Sequence, residues 1–385
     1  MRGRLFAMPT AMRGAMRRAM RRAMRRAMRR AMRRAMRGGA GVLLLAFCAS
    51  ESAAQMRPDL AWRTIATEHF RVHFTAELEG LARRTARNAE TAWGELAREL
   101  VAPRGLVDIV VADNVDYANG FATPFPTSRI VVYARPPVEE LSLRNHADWN
   151  KELVTHELTH IFHLDRARGW WGVAQRVFGR APPFFPNSYA PAWITEGLAV
   201  HYETRFGAGG GRLAGTEFRT LVRAAALDGK LPPLDALSLT ALHFPRGNVA
   251  YLYGSFAMSH VEPVLMRRYV EIASARMIPW RQNANARDAF GSSFTKRWQE
   301  WRDSVTRVES GVRLDEAGAG GAGAAPRALT THKYTARFPR FVSAQELLYV
   351  AEDGRSTTGR YSLTLDGKRR RLGRQNALEI GRAHV

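Results

Sequence analysis

The ten residues 154–163, VTHELTHIFH, constrain this chain more than any other stretch. On a helix, positions i and i+4 lie one above the other. His156 and His160 then present two imidazoles to one point, with Glu157 beside them. That spacing is what a hydrolytic zinc site requires. A core-packed or solvated pair of histidines is the alternative. The apolar residues Leu153, Val154, Leu158, Ile161 and Phe162 place the helix, read as 149–164, inside a domain. Two histidines do not complete a catalytic site, which needs three protein ligands and an open position.

The third ligand comes from the same helix or from another element. The metzincin pattern places a Gly and then a third His further along the same helix; here that Gly is absent, and His163 stands in its place. His163 reads as a helix-surface or supporting histidine in preference to a ligand. The other source is PAWITEGLAVHYE, residues 191–203, within which 192–204 reads as a helix. Glu196 lies there between Trp193 and Ala199, in a stretch too apolar for a carboxylate that is neither paired nor metal-bound. Gly197 permits another helix to come close. Glu203, two turns further on, either orients a ligating histidine or is a surface charge.

HELTH followed by W-I-T-E-G-L-A resembles the gluzincin branch of zinc metallopeptidases. The nearest group is the bacterial peptidase-MA-like one, with the M1 aminopeptidases, which carry W-L-x-E-G-x-A, as relatives. The resemblance covers residues 59–310, and is strong at the zinc motifs and weak elsewhere. It implies Zn2+ held by His156, His160 and Glu196, with Glu157 as general base. It also implies a tyrosine in a Y-x-x-G helix start that donates to the oxyanion. VAYLYGSF offers Tyr251 at that spacing, with Tyr253 as fallback and a plain core tyrosine as the alternative. The M1 enzymes hold a free amino terminus with a G-x-M-E-N loop, which is absent here. The corresponding region offers Gly120-Phe121-Ala122 and a strand at Ile130–Tyr133, whose edge suits an extended peptide. The implied activity is therefore that of an endopeptidase rather than an aminopeptidase.

Net charge is +23, but residues 1–38 hold fourteen Arg and no acid, leaving +9 on everything else. Ala11–Arg37 is a near-perfect Ala-Met-Arg-Arg repeat, which cannot bury a core. It reads as an upstream mis-start, with Met36 as one candidate true start, or as a basic arm for nucleic acid. GVLLLAFCASESAAQ then reads as a secretory signal cleaved before Gln55. Its apolar run is too short to span a bilayer. A lipoprotein reading at Cys48 is disfavoured by Phe47. Cys48 is the only cysteine, so removal of the signal would exclude disulfides and thiol catalysis.

The remaining chain falls into segments. Residues 62–74 alternate as a strand, 77–100 carry a helical apolar stripe, and 106–113 read as a buried strand. Residues 119–137 read as a turn-rich loop leading into a strand at 129–134. The aromatic, Pro-rich stretch 169–191 reads as a packed cap, a cleft wall or a surface-contact loop. Helices resume near 248, and Phe294, Trp298, Trp301 and Val305 mark a closing helix. Residues 313–330 form a Gly/Ala-rich linker. Residues 331–378 resemble the opening blade of a TolB-like or WD40-like β-propeller, with strands near 346–351 and 361–365 and an Asp-Gly turn after each. One blade cannot close a ring, so the propeller is expected to be truncated, and 379–385 to be a sequencing scar.

The expected fold is α+β and zincin-like. A small mixed sheet precedes the zinc helix, a helical half follows it, and an all-β propeller fragment comes last. The domains are a leader at 1–55, a metallopeptidase domain at 59–312, the linker and the blade. The expected cofactor is Zn2+ and the expected partner a peptide or protein substrate. No nucleic acid is expected, and membrane contact comes only through the signal of a secreted or periplasmic protein. The alternatives are a zinc-binding pseudoenzyme that presents a propeller, and a nucleic-acid binder driven by the arginine arm.

Overall fold

The alternation at 62–74 resolves into two strands rather than one. β1 (Arg63–Ala66) and β2 (Phe70–Phe74) pair antiparallel, with Ile65 opposite Val72. Thr67 turns the chain between them. Its N–H donates to the Phe70 carbonyl at 2.9 Å, and its hydroxyl oxygen accepts from the Phe70 N–H at 3.2 Å. Ile65 and Val72 therefore share a face although an odd number of positions separates them, so the alternation changes parity through the reversal. The structure, a computed structural model, describes residues 59–374 apart from 114, 116–117, 138–142, 144, 208, 239–247, 320–327, 332–334 and 353–354. The arginine repeat, the leader with Cys48 and the final seven residues lie outside the described residues.

Helix α1 (Glu79–Glu99) carries the chain from β2 to the parallel strand β3 (Val107–Ala112). It buries the stripe Ala82, Ala86, Ala89, Trp93 and Leu96. β4 (Gly120–Thr123) and β5 (Arg129–Tyr133) complete a mixed sheet in the order β1-β2-β3-β5-β4. β3 and β5 are parallel, with Ile109 opposite Ile130, and both are Val/Ile-rich because they lie inside the sheet. The sequence read 119–123 as loop, but these residues form a strand antiparallel to β5. β5 is therefore paired on both sides, and the free edge belongs to β4.

Helix α2 (Trp149–Leu164) follows, with Asp148 as its N-cap accepting from the Lys151 N–H at 3.1 Å. It is buried on nearly every side, from Asn150 and Glu152 through His163. Several of its polar residues accordingly have partners. The Thr155 hydroxyl donates to the Lys151 carbonyl at 2.8 Å, and Asn150 Nδ2 donates to the Thr85 hydroxyl at 2.9 Å. Trp93 of α1 ties the helix to the sheet, edge-on to Phe70 at 5.6 Å and to Phe162 at 5.1 Å.

The connection 169–191 is mostly helical: α3 (Gly169–Phe178) and then two short 3-10 turns, Pro182–Phe184 and Pro186–Tyr189. Helix α4 (Ala192–Phe206) packs on α2, and α6 (Val249–Ser259) packs on α4. The α4–α6 crossing is so close that a Cβ on Gly197 would overlap the Gly254 backbone, and one on Gly254 would overlap the Trp193 carbonyl. Helices α5 (Thr216–Leu227), α7 (Pro263–Ala275), α8 (Gln282–Phe290) and α9 (Phe294–Ala319) complete this half. Trp298 of α9 stacks on Trp301 at 4.5 Å and meets Tyr253 edge-on at 6.1 Å. The α9 backbone runs through the first seven residues of the stretch read as linker.

β6 (Thr335–Phe341), β7 (Glu346–Glu352), β8 (Gly359–Thr364) and β9 (Arg369–Arg374) form a second, antiparallel sheet in sequence order. Leu347, Tyr349, Ala351, Tyr361 and Leu363 form its own small core. Gly367, at φ +96°, makes the turn after Asp366. The other Asp-Gly pair, 353–354, lies outside the described residues. The described chain is thus mixed α and β, with two small sheets and no closed barrel. No helix among the described residues is long and apolar enough to cross a membrane.

Candidate metal centre

Helix α2 points His156, Glu157 and His160 into a cleft of about 900 Å³. β4 forms one rim, with Gly120, Phe121 and Ala122, and the start of α4 forms the other. Glu196 enters from α4. Its Oε2 lies 3.4 Å from His156 Nε2 and 3.4 Å from His160 Nε2. The three ligand atoms lie within 4.8 Å of one another, and no other such His/Cys/Asp/Glu group occurs among the described residues. The imidazole centroids are 4.9 Å apart with the planes at 85°, so both rings aim at the point Glu196 faces.

The donor set fits a divalent ion of zinc type: two imidazole nitrogens and one carboxylate oxygen, with the fourth side open to the cleft. The Glu196 Oε2 is buried and accepts no hydrogen bond, although it sits between two imidazoles. An orphaned buried carboxylate oxygen is costly without a cation. The electrostatics agree. Burial alone would raise the Glu196 pKa, but the two imidazoles hold it well below the usual carboxylate range. Burial alone would lower that of His156, but Glu196 and Glu203 lift it to about 9. The pocket favours positive charge at this point.

Glu203 is buried and is no surface charge. Its Oε2 lies 2.7 Å from His156 Nδ1, which turns Nε2 of that ring toward Glu196. Arg212 clamps the same carboxylate with two bonds, Nε to Oε1 at 2.8 Å and Nη2 to Oε2 at 2.7 Å. Its guanidinium also lies 5.0 Å over the Tyr251 ring. Sequence reasoning missed Arg212. The available signal was its place directly after the Gly209-Gly210-Gly211 run. Gly209 and Gly211 have φ of +98° and +94°, and a Cβ on Gly210 would overlap Glu152. Only glycine lets this loop fold back tightly enough to bring Arg212 onto α4.

Glu157 is buried among the ligands. Burial pushes its carboxyl above the ordinary range, against the pull of His156 and His160. Gly120 of β4 crosses directly over it: a Cβ there would come within 3.3 Å of Glu157 Cγ. Tyr251, at the start of α6, lines the cleft, its ring 6.3 Å from that of His156. Burial and the nearby Glu196 charge raise its hydroxyl pKa, so it remains a proton donor. Tyr253 instead packs against Trp298 in the core. The close α4–α6 crossing at Gly197 and Gly254 is what carries Tyr251 to Glu196.

His163 departs from its surface reading. It is buried, neither ring nitrogen has a hydrogen-bond partner, and burial pulls its pKa to about 3. It does not line the cleft, and its carbonyl accepts from Asn187 Nδ2 at 2.7 Å. In comparisons with known proteins, no family model matches the chain, and no curated protein matches it significantly.

Proposed function

We propose that the chain is a zinc-dependent peptidase of the gluzincin kind, hydrolysing peptide bonds with Glu157 as general base. The convergence of His156 Nε2, His160 Nε2 and the unpartnered Glu196 Oε2 carries this reading. When bound there, zinc supplies a water acidified to a pKa of about 7 and polarises the scissile carbonyl.

The side chains do the rest. The Glu157 carboxylate takes the proton from the attacking water and passes it to the leaving amine nitrogen, a task its burial-raised pKa suits. The Tyr251 hydroxyl donates to the oxygen that becomes negative as the carbonyl turns tetrahedral. Glu203 fixes the His156 ring, and Arg212 fixes Glu203. The unpaired edge of β4 runs beside Glu157, where an extended substrate can add a strand. The sequence carries no G-x-M-E-N loop to hold a free amino terminus, which favours internal cleavage. Residues 59–312 form the catalytic domain in this reading, and β6–β9 the first blade of a propeller. Residues 1–55 are a leader for export to the periplasm or beyond.

The test is cleavage of a peptide library by wild type and by Glu157→Gln, with metal content measured on both. Retained metal and a rate lowered about 10³-fold support the proposal. Equal cleavage by both removes Glu157 from the chemistry. No cleavage by either, with zinc bound, points to a pseudoenzyme that presents the β6–β9 sheet.

A further inference from the structure

Residues 166–195 contain four arginines and no acidic residue, and of these Arg180 is paired with Asp165, just before the segment, at 2.6 Å. Within them, α3 is amphipathic, but its apolar side faces water. Gly172, Ala174 and Gln175 turn inward. Trp170, Val173 and Val177, spaced i, i+3 and i+7, turn outward at 56%, 44% and 67% exposure, and Phe178 follows at 65%. Arg176 flanks this stripe, and its Nε donates only to the Gly172 carbonyl, at 3.2 Å. Arg166 and Arg168 share the single carboxylate of Glu271, which leaves a positive excess. The last turn of α7 and the loop after it are tied to the same helix and to its N-cap residue Arg168. Trp171 Nε1 donates to the Arg276 carbonyl at 2.9 Å, and the Arg168 N–H donates to that of Ser274 at 3.0 Å. That loop adds Met277, 68% exposed.

A helix ridge of Trp, Val and Phe beside uncompensated arginine is the composition of a segment that lies in a membrane interface. Scattered exposed apolar residues are ordinary, whereas a stripe of four on one short helix is not. The charge selects the occupant: with Asp165 on Arg180 and Glu271 shared by Arg166 and Arg168, four arginines meet two carboxylates, and the positive excess complements phosphate headgroups. We infer that α3 and the loop at 276–278 dock on an anionic phospholipid surface. The apolar stripe enters the interface, and Arg176 and the Arg166/Arg168 pair face the phosphates. This contact is separate from the leader, to which the sequence reading confined membrane contact, and it does not depend on the metal chemistry.

The full chain tests it, carrying Cys48→Ser and Val177→Cys with an environment-sensitive fluorophore on the new thiol. The arginine-rich residues 1–38 attract anionic vesicles by charge alone, so the readout is the label and not sedimentation. With phosphatidylcholine vesicles holding about 30% phosphatidylglycerol, the emission shifts to the blue and iodide no longer quenches it. With phosphatidylcholine alone neither change occurs. Trp170→Asp in the labelled chain reduces the shift at least about fivefold. Three results overturn the inference: vesicle-bound protein whose label stays open to iodide; an equal shift on neutral vesicles; or shielding without lipid that grows with protein concentration, which assigns the ridge to a second copy.

Discussion

Helix α2 buries histidines and glutamates, and α3, which begins five residues after it ends, exposes Trp170, Val177 and Phe178. The two depart from the ordinary inside–outside rule in opposite directions. In α2 the cost of burying His156 and His160 is offset by Glu196 and Glu203 of α4, with Arg212 of the loop after it holding Glu203. In α3, among the described residues, only Phe184, stacked on Phe178 at 5.5 Å, touches the stripe's aromatic end, and Trp170, Val173 and Val177 stay exposed. A polar group taken inside is informative because it needs a partner, and an apolar helix face left outside is informative because it lacks one. Both helices are therefore marked by what their surroundings supply or withhold, and each can be tested by changing that supply.

The largest effect is expected at Glu203. Glu203→Ala frees the His156 ring and leaves Arg212 buried without its carboxylate. Zinc affinity falls about 10–100-fold, read by competition with a chromophoric chelator. Stability falls by about 3–5 kcal/mol, the range for a buried pair that loses one partner. Unchanged zinc affinity would show that Glu203 has no part in orienting the ligand, and α2 would lose its claim to a supported site.

Glu152, one turn before His156, sharpens the comparison through pH. Its Oε1 accepts from the Ala147 N–H at 2.8 Å, yet burial raises its pKa to about 7 despite that bond, and Glu203 adds to the rise. The folded state therefore holds a proton that the unfolded chain has already lost between the ordinary carboxylate value and about 7. Stability must fall as pH rises through that window. Glu152→Gln keeps the acceptor and removes the charge. The melting temperature of the variant should match wild type at pH 4.5 and exceed it at pH 8, by the equivalent of roughly 1–3 kcal/mol. Equal melting at both values would mean that this carboxylate is not desolvated.

Much of this contrast was legible in the sequence. α2 spans the residues its periodicity marked, and α4 starts where it was expected and runs two residues further. Local pattern sufficed because each helix carries its apolar residues and its motif within a few turns. β4 was missed because four residues with a glycine, next to prolines, carry no strand signal of their own; pairing with β5 makes the strand. α3 was missed because its tryptophans, glycines and flanking prolines read as irregular chain. Arg212 was missed because its partner is nine residues back on another element, and only the folded glycine loop joins them. Glu203 stayed open between two readings, because its spacing from Glu196 fixes a helix face but not what packs on that face.

The smallest expected effect is at Val177, and its smallness is the point. Side-chain truncation in α2 should be expensive: Leu158→Ala removes a fully buried side chain, at about 2–5 kcal/mol. Val177→Ser removes apolar surface that the folded chain leaves in water, so the melting temperature in the absence of lipid should move by no more than about 0.5 kcal/mol equivalent. If Val177 were covered by part of this same chain, the substitution would cost what a core truncation costs. A neutral result in solution, set beside a measurable one at Leu158, would show that the apolar face of α3 contributes nothing to folding. Its composition would then answer to a contact made after the chain has folded.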